Sequence, residues 1–197
     1  MTRLRRAAVL ALLALTAWQW GGAGYIHAKA CVAQVLLTRA WTQAQATGNA
    51  VKPWPWADTA PLAKLEVPRL DISEIVLRGD SGRTLAFGPA WNEGSALPGE
   101  RGTTVISGHR DTHFSFLQQL RPDDQISLDG VSGRRLYRVT QTRIVDAHAT
   151  RIDASASDDS LLLVTCYPFD AIAAGGPLRY VVRAEAIGTS SFVSTNN

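Results

Sequence analysis

The chain has 197 residues, enough for one domain with extensions, and 46% of them are hydrophobic, as in an ordinary globular protein. Its formal net charge of +3 comes from 20 basic and 17 acidic residues, and Arg3, Arg5 and Arg6 at the N-terminus account for the whole excess. Because the rest of the chain is electrically balanced, the charge belongs to the N-terminal tip and excludes nucleic acid as a partner of the domain.

An apolar segment, residues 7–26, follows the basic tip and carries no charged side chain. About 20 apolar residues are long enough to span a bilayer as a helix. Trp18, Trp20 and Tyr25 near its far end suit the aromatic belt of a membrane interface. Since the arginines precede the segment, we predict that residues 1–27 form a cytoplasmic tip and a single transmembrane helix, with the domain outside.

Two alternatives exist for this segment. Residues 28–30 have the A-x-A form of a signal-peptidase site, so the segment would also fit a cleaved signal peptide, although its apolar run is long for one. Cys31 would fit a lipidated cysteine, but no Leu-rich lipobox precedes it. The length of the run favours the membrane anchor.

Residues 28–58 form the predicted linker. Apolar residues recur on one face of a helix over residues 28–46, which Gly48 helps to end. This helix either extends the anchor or packs on the domain. The Pro- and Trp-rich residues 53–58 follow it, and their tryptophans either pack on the domain or lie at the membrane surface. We favour packing.

Short β-like runs separated by turn residues fill residues 59–188, the predicted catalytic domain, and a flexible tail follows at 189–197. Many short strands in a domain of this size predict a mainly β fold, either a closed barrel or a sandwich. One short helix is expected at 114–120. The predicted strands are 63–67, 74–78, 103–107, 125–128, 135–144, 161–166 and 178–186.

A lone cysteine stands where the most apolar of these strands ends. Four aliphatic residues and Thr165 precede Cys166, and Pro168 cannot continue a strand ladder. A thiol at the end of a rigid element, where a loop begins, is a common position for a functional group. The alternative is that Cys166 is a small buried hydrophobic residue.

Two more residues are candidates for a site with Cys166. His109 follows the end of the predicted strand 103–107, and Arg179 lies at the start of the last strand. If the strands that hold Cys166 and Arg179 pair as an antiparallel hairpin, with the loop centred near residues 172–173, the two residues fall directly opposite each other. Opposed residues point to the same face, so a guanidinium would lie beside the thiol.

These residues resemble the site of the sortases, cysteine transpeptidases that attach proteins to cell surfaces. The resemblance is closest to the proteobacterial marine sortase group and extends from about residue 41 to 186. It implies an eight-stranded sortase β-barrel with short helices, on an anchor in the inner membrane, with the catalytic domain in the periplasm. The motifs that carry it are Pro-Trp-Pro-Trp-Ala-Asp at 53–58, Gly-His-Arg-Asp-Thr-His-Phe at 108–114 and Thr-Cys-Tyr-Pro-Phe at 165–169.

The resemblance also implies a role for each residue of the site. Cys166 would attack a backbone carbonyl of a C-terminal, LPxTG-like sorting signal on a secreted or surface protein and form a thioester. His109 would protonate the leaving amine and then deprotonate the incoming amine or water. Arg179 would donate hydrogen bonds to the peptide carbonyl and the developing oxyanion. Thr165 would help to bind the substrate through its hydroxyl or its backbone.

Neighbouring polar residues have simpler interpretations. We expect His113 to be a surface or helix-start histidine and Asp111 to cap the short helix. A zinc site is disfavoured, because the histidines and one cysteine lack a fourth ligand at the usual spacing, and no motif indicates a cofactor. Cys31 and Cys166 are expected to be unpaired, because a nucleophile must stay reduced.

The leading hypothesis is therefore a membrane-anchored sortase. One alternative is an L,D-transpeptidase-like enzyme or another cysteine peptidase, although residues 164–167 lack the His, Gly and Arg that flank the cysteine in L,D-transpeptidases. The other is a non-catalytic β-barrel interaction module on a membrane anchor. Proximity of the thiol, the imidazole and the guanidinium distinguishes these hypotheses.

Overall fold

The structure of the chain, a computed structural model, describes residues 3–150, 158–171 and 175–187. For part of the first helix it describes the backbone alone, so the side chains of Trp18 and Trp20 lie outside the described residues. The predicted tail, residues 189–197, also lies outside them. The chain divides into two units between Leu36 and Leu37.

A helix of 45 residues, α1 (Arg3–Thr47), contains the whole first unit that is described. Among the described residues, no helix meets the length and apolarity needed to cross a membrane. The predicted helix over 28–46 is confirmed as a part of α1. It ends where predicted, since Gly48 has φ +68° and donates its N–H to the Ala44 carbonyl at 2.9 Å.

Eight strands form the core of the second unit. They form a closed barrel, and seven of them lie within two residues of their predicted limits. The mainly β fold is therefore confirmed, and closure decides for the barrel over the sandwich. The strands are β1 (Pro61–Val67), β2 (Ile72–Arg78), β3 (Ala90–Trp91), β4 (Thr103–Ser107), β5 (Gln125–Gly130), β6 (Gly133–Asp146), β7 (Ser160–Cys166) and β8 (Leu178–Ala186).

The strand order around the barrel is β1-β2-β3-β4-β7-β8-β6-β5. β4 and β7 are parallel neighbours in the middle of this order, and β7 pairs antiparallel with β8. Inward-facing residues of these strands, such as Ile106 and Leu163, are fully buried in the barrel core. The ends of three adjacent strands therefore carry the candidate residues His109, Cys166 and Arg179.

The parallel pair β4–β7 is also held at its other end. The Asp159 carboxylate accepts a 2.7 Å hydrogen bond from the Gly102 N–H and an ion pair from Arg135 at 3.2 Å. The Gly102 N–H, and after it Arg135, hold the pKa of Asp159 below its usual value, against the opposing effect of burial. These bonds fix the register in which the two strands run toward the candidate site.

The end of α1 packs on the outside of the barrel. Leu37, Trp41 and Ala44 are buried there and contact residues of β2 and β3. Of the two expectations for this helix, packing on the domain therefore holds for residues 37–47. The Pro- and Trp-rich segment divides: Trp54 packs edge-on against Phe87 at 5.2 Å, whereas Trp56 is 79% exposed, so packing was the wrong expectation for Trp56.

Besides the end of α1, the described residues of the second unit contain three short helical turns: a 3-10 turn at Pro68–Leu70, α2 (Gly82–Leu85) and a 3-10 helix at Ser115–Gln119. The last of these is the helix predicted at 114–120. Its expected cap was wrong, because the turn begins at Phe114 without a side-chain bond and Asp111 instead accepts a hydrogen bond from Arg110 Nε at 3.1 Å. The adjacent guanidinium is a stronger partner for this carboxylate than a backbone N–H.

Candidate active site

Cys166 and Arg179 face each other at the loop end of the β7–β8 hairpin. Cys166 is the last residue of β7, Arg179 is the second residue of β8, and the two are direct partners in the antiparallel ladder. The predicted hairpin register is confirmed, although the centre of its loop, residues 172–173, lies outside the described residues. Both residues are half-buried, and cross-strand partners share a face, so their side chains leave the sheet on the same side.

His109 reaches the same end of the barrel along β4. In the parallel ladder Ser107 pairs with Val164, and the Gly108 N–H continues it with a 3.1 Å bond to the Val164 carbonyl. His109 and Cys166 each follow this last pair by two residues, so both lie just beyond it at the same end of the two strands. His109 is exposed, as a residue that exchanges protons with a substrate needs to be.

The backbone that carries His109 is held from two sides. The Thr165 hydroxyl, which is buried, donates a 2.7 Å hydrogen bond to the Gly108 carbonyl. The His109 carbonyl accepts a 2.9 Å bond from the Phe114 N–H. A Cβ on Gly108 would lie 2.7 Å from the Phe114 ring, so glycine alone lets this ring pack beneath the histidine. Thr165 thus uses its hydroxyl within the protein, and substrate binding by Thr165 stays a prediction for its backbone.

Arg110 follows the histidine, yet its side chain is buried. Nη1 donates to the Pro168 carbonyl and Nη2 to the Ala171 carbonyl, both at 2.6 Å. These carbonyls belong to the loop that leaves the cysteine. The sequence did not point to this role, because no local pattern reveals which backbone carbonyl an arginine will meet after the chain folds.

The guanidinium of Arg179 is partly engaged by its own loop. Nη1 donates to the Gly176 carbonyl at 2.6 Å and to the Leu178 carbonyl at 2.9 Å. A guanidinium has five N–H donors, and these two bonds use one nitrogen. The loop therefore fixes the orientation of the fork, while the same side chain has further donors to offer.

A small apolar cluster lies on the same face of β7 as the thiol. Side chains alternate between the two faces of a strand, so Leu162 and Val164 point to the same side as Cys166, away from the core. Val105 and Val181 join them in one hydrophobic cluster, in which Val105, Leu162 and Val164 are buried and Val181 is half-buried.

Aromatic rings border the thiol on the other side of the strand end. Tyr167 stacks with Tyr180 at 6.3 Å, and Phe169 meets Tyr180 edge-on at 5.2 Å. All three rings are half-buried, and Phe169 and Tyr180 contact the barrel core. The first residues of the β7–β8 loop are thus packed against the barrel.

His113 and Cys31 are the remaining sequence candidates. His113 is a half-buried residue, and its Nδ1 is 2.9 Å from the Glu74 carboxylate, so it joins its loop to β2. Cys31 and Cys166 are both free thiols, and Cys31 is exposed on α1. Within the part of the chain that the structure describes, no group of three or more acidic, histidine or cysteine residues could hold a metal ion.

Comparisons with known proteins agree on one family. A family model described as "Sortase domain" matches residues 65–187. Sortase D of Bacillus subtilis (strain 168) is 32% identical over 124 residues, which are 62% of this chain and 62% of that protein. The chain therefore matches about three fifths of the length of this curated relative.

Solved structures give the same result for the fold. Sortase A from Corynebacterium diphtheriae superimposes with a TM-score of 0.60 and 27% identity, over 70% of this chain and 65% of that one. A Clostridium perfringens Sortase D5 transpeptidase gives a TM-score of 0.64 over 80% of this chain and 99% of that one. At 19% identity, this second similarity concerns the fold alone.

Proposed function

The chain belongs to the sortase family, and from this membership we propose that it is a cysteine transpeptidase with Cys166 as its nucleophile. The observation that carries the proposal is the pairing of Cys166 with Arg179 across the β7–β8 hairpin, with His109 two residues beyond the end of the neighbouring strand β4. A thiol, an imidazole and a guanidinium at one strand end are the groups that acyl transfer requires.

The reaction we propose has two acyl-transfer steps. In the first, the Cys166 thiolate attacks a peptide carbonyl, the C–N bond breaks, and His109 gives a proton to the leaving amine, which leaves a thioester. In the second, His109 takes a proton from an incoming amine, which attacks the thioester and releases the thiolate. Water in place of the amine would give hydrolysis.

Arg179 is the proposed donor to the oxygen of the reacting carbonyl. It is the direct cross-strand partner of the nucleophile, and its bonds to the Gly176 and Leu178 carbonyls orient the fork before substrate arrives. Preorganised donors at the position where negative charge develops stabilise the transition state more than the ground state. The backbone of Thr165 is the proposed contact for the substrate chain.

The proposed substrate is a secreted or surface protein with a C-terminal, LPxTG-like sorting signal. Membership of the family supports this substrate, since sortases act on surface proteins that bear sorting signals. An extended peptide that lies along a rigid strand gains affinity from main-chain hydrogen bonds. Its alternate side chains then decide specificity. The amine acceptor would enter from the side of exposed His109.

The test is turnover of a sorting peptide by the full chain with an amine acceptor. We expect an LPxTG-like peptide to yield two products, the released C-terminal fragment and the N-terminal fragment joined to the acceptor. Mass spectrometry identifies both products, and a peptide of the same composition in scrambled order is the control. Equal cleavage of both peptides, or of neither, would contradict the proposed substrate.

We also propose that the N-terminal segment anchors the enzyme in the inner membrane, with the barrel in the periplasm. Residues 7–26 carry no charge and follow three arginines, which supports a cytoplasmic N-terminus. A reporter enzyme that is active only in the periplasm, fused after Asn197, should therefore be active. A reporter that is active only in the cytoplasm should be silent at the same position, and the reverse pattern would contradict the anchor.

A further inference from the structure

The arginine that follows the candidate general acid–base residue is tied to the loop that follows the nucleophile. Arg110 lies directly after His109, and its side chain is only 6% exposed. Its two terminal nitrogens each donate a 2.6 Å bond, one to the Pro168 carbonyl and one to the Ala171 carbonyl. Both acceptors lie within five residues after Cys166 along the chain.

A second bond joins the same two segments in the opposite direction. The Thr165 hydroxyl, one residue before Cys166, donates to the Gly108 carbonyl, one residue before His109. The segment of the imidazole and the segment of the thiol are thus cross-linked on both flanks. The bond from Thr165 precedes the two residues along the chain, and its donor is on β7. The bonds from Arg110 follow them, and their donor is in the segment after β4.

The chemistry of the Arg110 connection suits arginine specifically. A charged donor in a buried position forms stronger hydrogen bonds than a neutral one. The guanidinium fork can reach two carbonyls in fixed directions, whereas a lysine ammonium is a single mobile point charge. Asp111, which is exposed, accepts the remaining Nε bond and balances the charge at the surface.

We propose that Arg110 is a positioning residue that sets the distance between the His109 imidazole and the Cys166 thiol. The inference rests on the proposed function, because the distance matters only if the two groups act together. Arg110 contacts no reacting atom in this scheme. It acts by holding the exit of β7 against the exit of β4, so its loss lets the thiol and the imidazole move apart.

The first test is the kinetics of two substitutions. Misplacement of reacting groups by about 1 Å can cost on the order of 100-fold in rate. Arg110→Met, which keeps a long unbranched chain but has no donor, should lower kcat by roughly 10- to 100-fold with little change in KM. Arg110→Lys should restore part of kcat, since lysine can satisfy one of the two carbonyls.

Arg69→Met is the matched control. Arg69 also joins a carboxylate to a backbone carbonyl: Nη2 lies 2.7 Å from Asp124 and 2.7 Å from the Gln119 carbonyl. Its loss should lower the melting temperature and leave kcat unchanged. Equal losses of kcat in Arg69→Met and Arg110→Met would reduce the effect to general destabilisation and overturn the proposal.

The second test reads the position of the thiol without any substrate. The rate at which iodoacetamide alkylates Cys166 is measured in Arg110→Met, in His109→Ala and in the double variant, each in a Cys31→Ser background. If Arg110 acts through the imidazole, Arg110→Met should change the rate when His109 is present and have little further effect when it is absent. Equal factors in both backgrounds would overturn the proposal.

These tests separate the inference from the proposed function. If the unsubstituted chain turns over no sorting peptide, the proposed function fails, whatever the alkylation rates are. If it turns over the peptide and Arg110→Met does so at the same kcat, the positioning role alone fails. If Arg110→Met does not fold, Arg110→Lys can be used in both tests, because it retains a positive charge at the buried site.

Discussion

Cys166→Ala should abolish turnover of a sorting peptide, with the largest effect of any single substitution. The thioester cannot form without the thiol, and removal of the nucleophile from a comparable triad in a serine hydrolase lowers kcat by roughly a million-fold. Cys166 lies at the end of a fully paired strand in contact with β4 and β8, so alanine should leave the barrel intact. Product formation followed by chromatography measures the loss.

Cys31→Ser is the internal control for this experiment. Cys31 is the other free thiol of the chain, and it is exposed on α1. Its replacement should leave both turnover and stability nearly unchanged. Activity that survives in Cys166→Ala, or is lost in Cys31→Ser at normal protein level, would move the nucleophile away from β7.

Arg179→Lys should lose on the order of 100-fold in turnover, the usual effect of removing one oxyanion donor. Two roles for this arginine predict different results. If it supplied a positive charge alone, lysine would retain much of the rate. If it positions the carbonyl and the oxyanion, lysine fails, because its ammonium cannot reproduce the fork that the Gly176 and Leu178 carbonyls orient.

Arg179→Ala completes this comparison. It should lose at least as much turnover as Arg179→Lys, while Cys166 still reacts readily with an alkylating reagent at neutral pH. The two measurements together separate loss of the nucleophile from loss of the donor. A near-normal rate in either variant would leave Arg179 as a structural residue of β8.

The pairing of Cys166 with Arg179 could be predicted from the sequence because a hairpin is a local structure. Two strongly apolar runs and the position of the loop between them determine which residues face each other. β4 and β8 were predictable with their observed limits for a similar reason, since turn residues bound each run. His109 was expected just beyond the strand 103–107, and β4 ends at Ser107 as predicted.

The missed features depend on contacts between distant parts of the chain. β3 has two residues, too few for a periodic pattern, and it exists because it bridges β2 and β4 in the closed barrel. Arg110 was assigned no role, because its acceptors are 58 and 61 residues away. The cap expected from Asp111 was wrong for a different, local reason, because the guanidinium of the neighbouring Arg110 binds its carboxylate. The exposure of Trp56 likewise depends on where the barrel surface ends.

Loss of activity in a variant supports a thioester only indirectly. The thioester intermediate itself has a defined mass, so it can be detected directly. The full chain is mixed with an LPxTG-like peptide in the absence of an added amine acceptor, quenched in acid and analysed by intact mass spectrometry. The proposed function predicts that the mass of the protein increases by the acyl group of the N-terminal fragment. Digestion should locate this adduct on the fragment of the protein that contains Cys166. The adduct should disappear when hydroxylamine is added. An adduct on Cys31, or peptide cleavage with no adduct on Cys166, would contradict the mechanism.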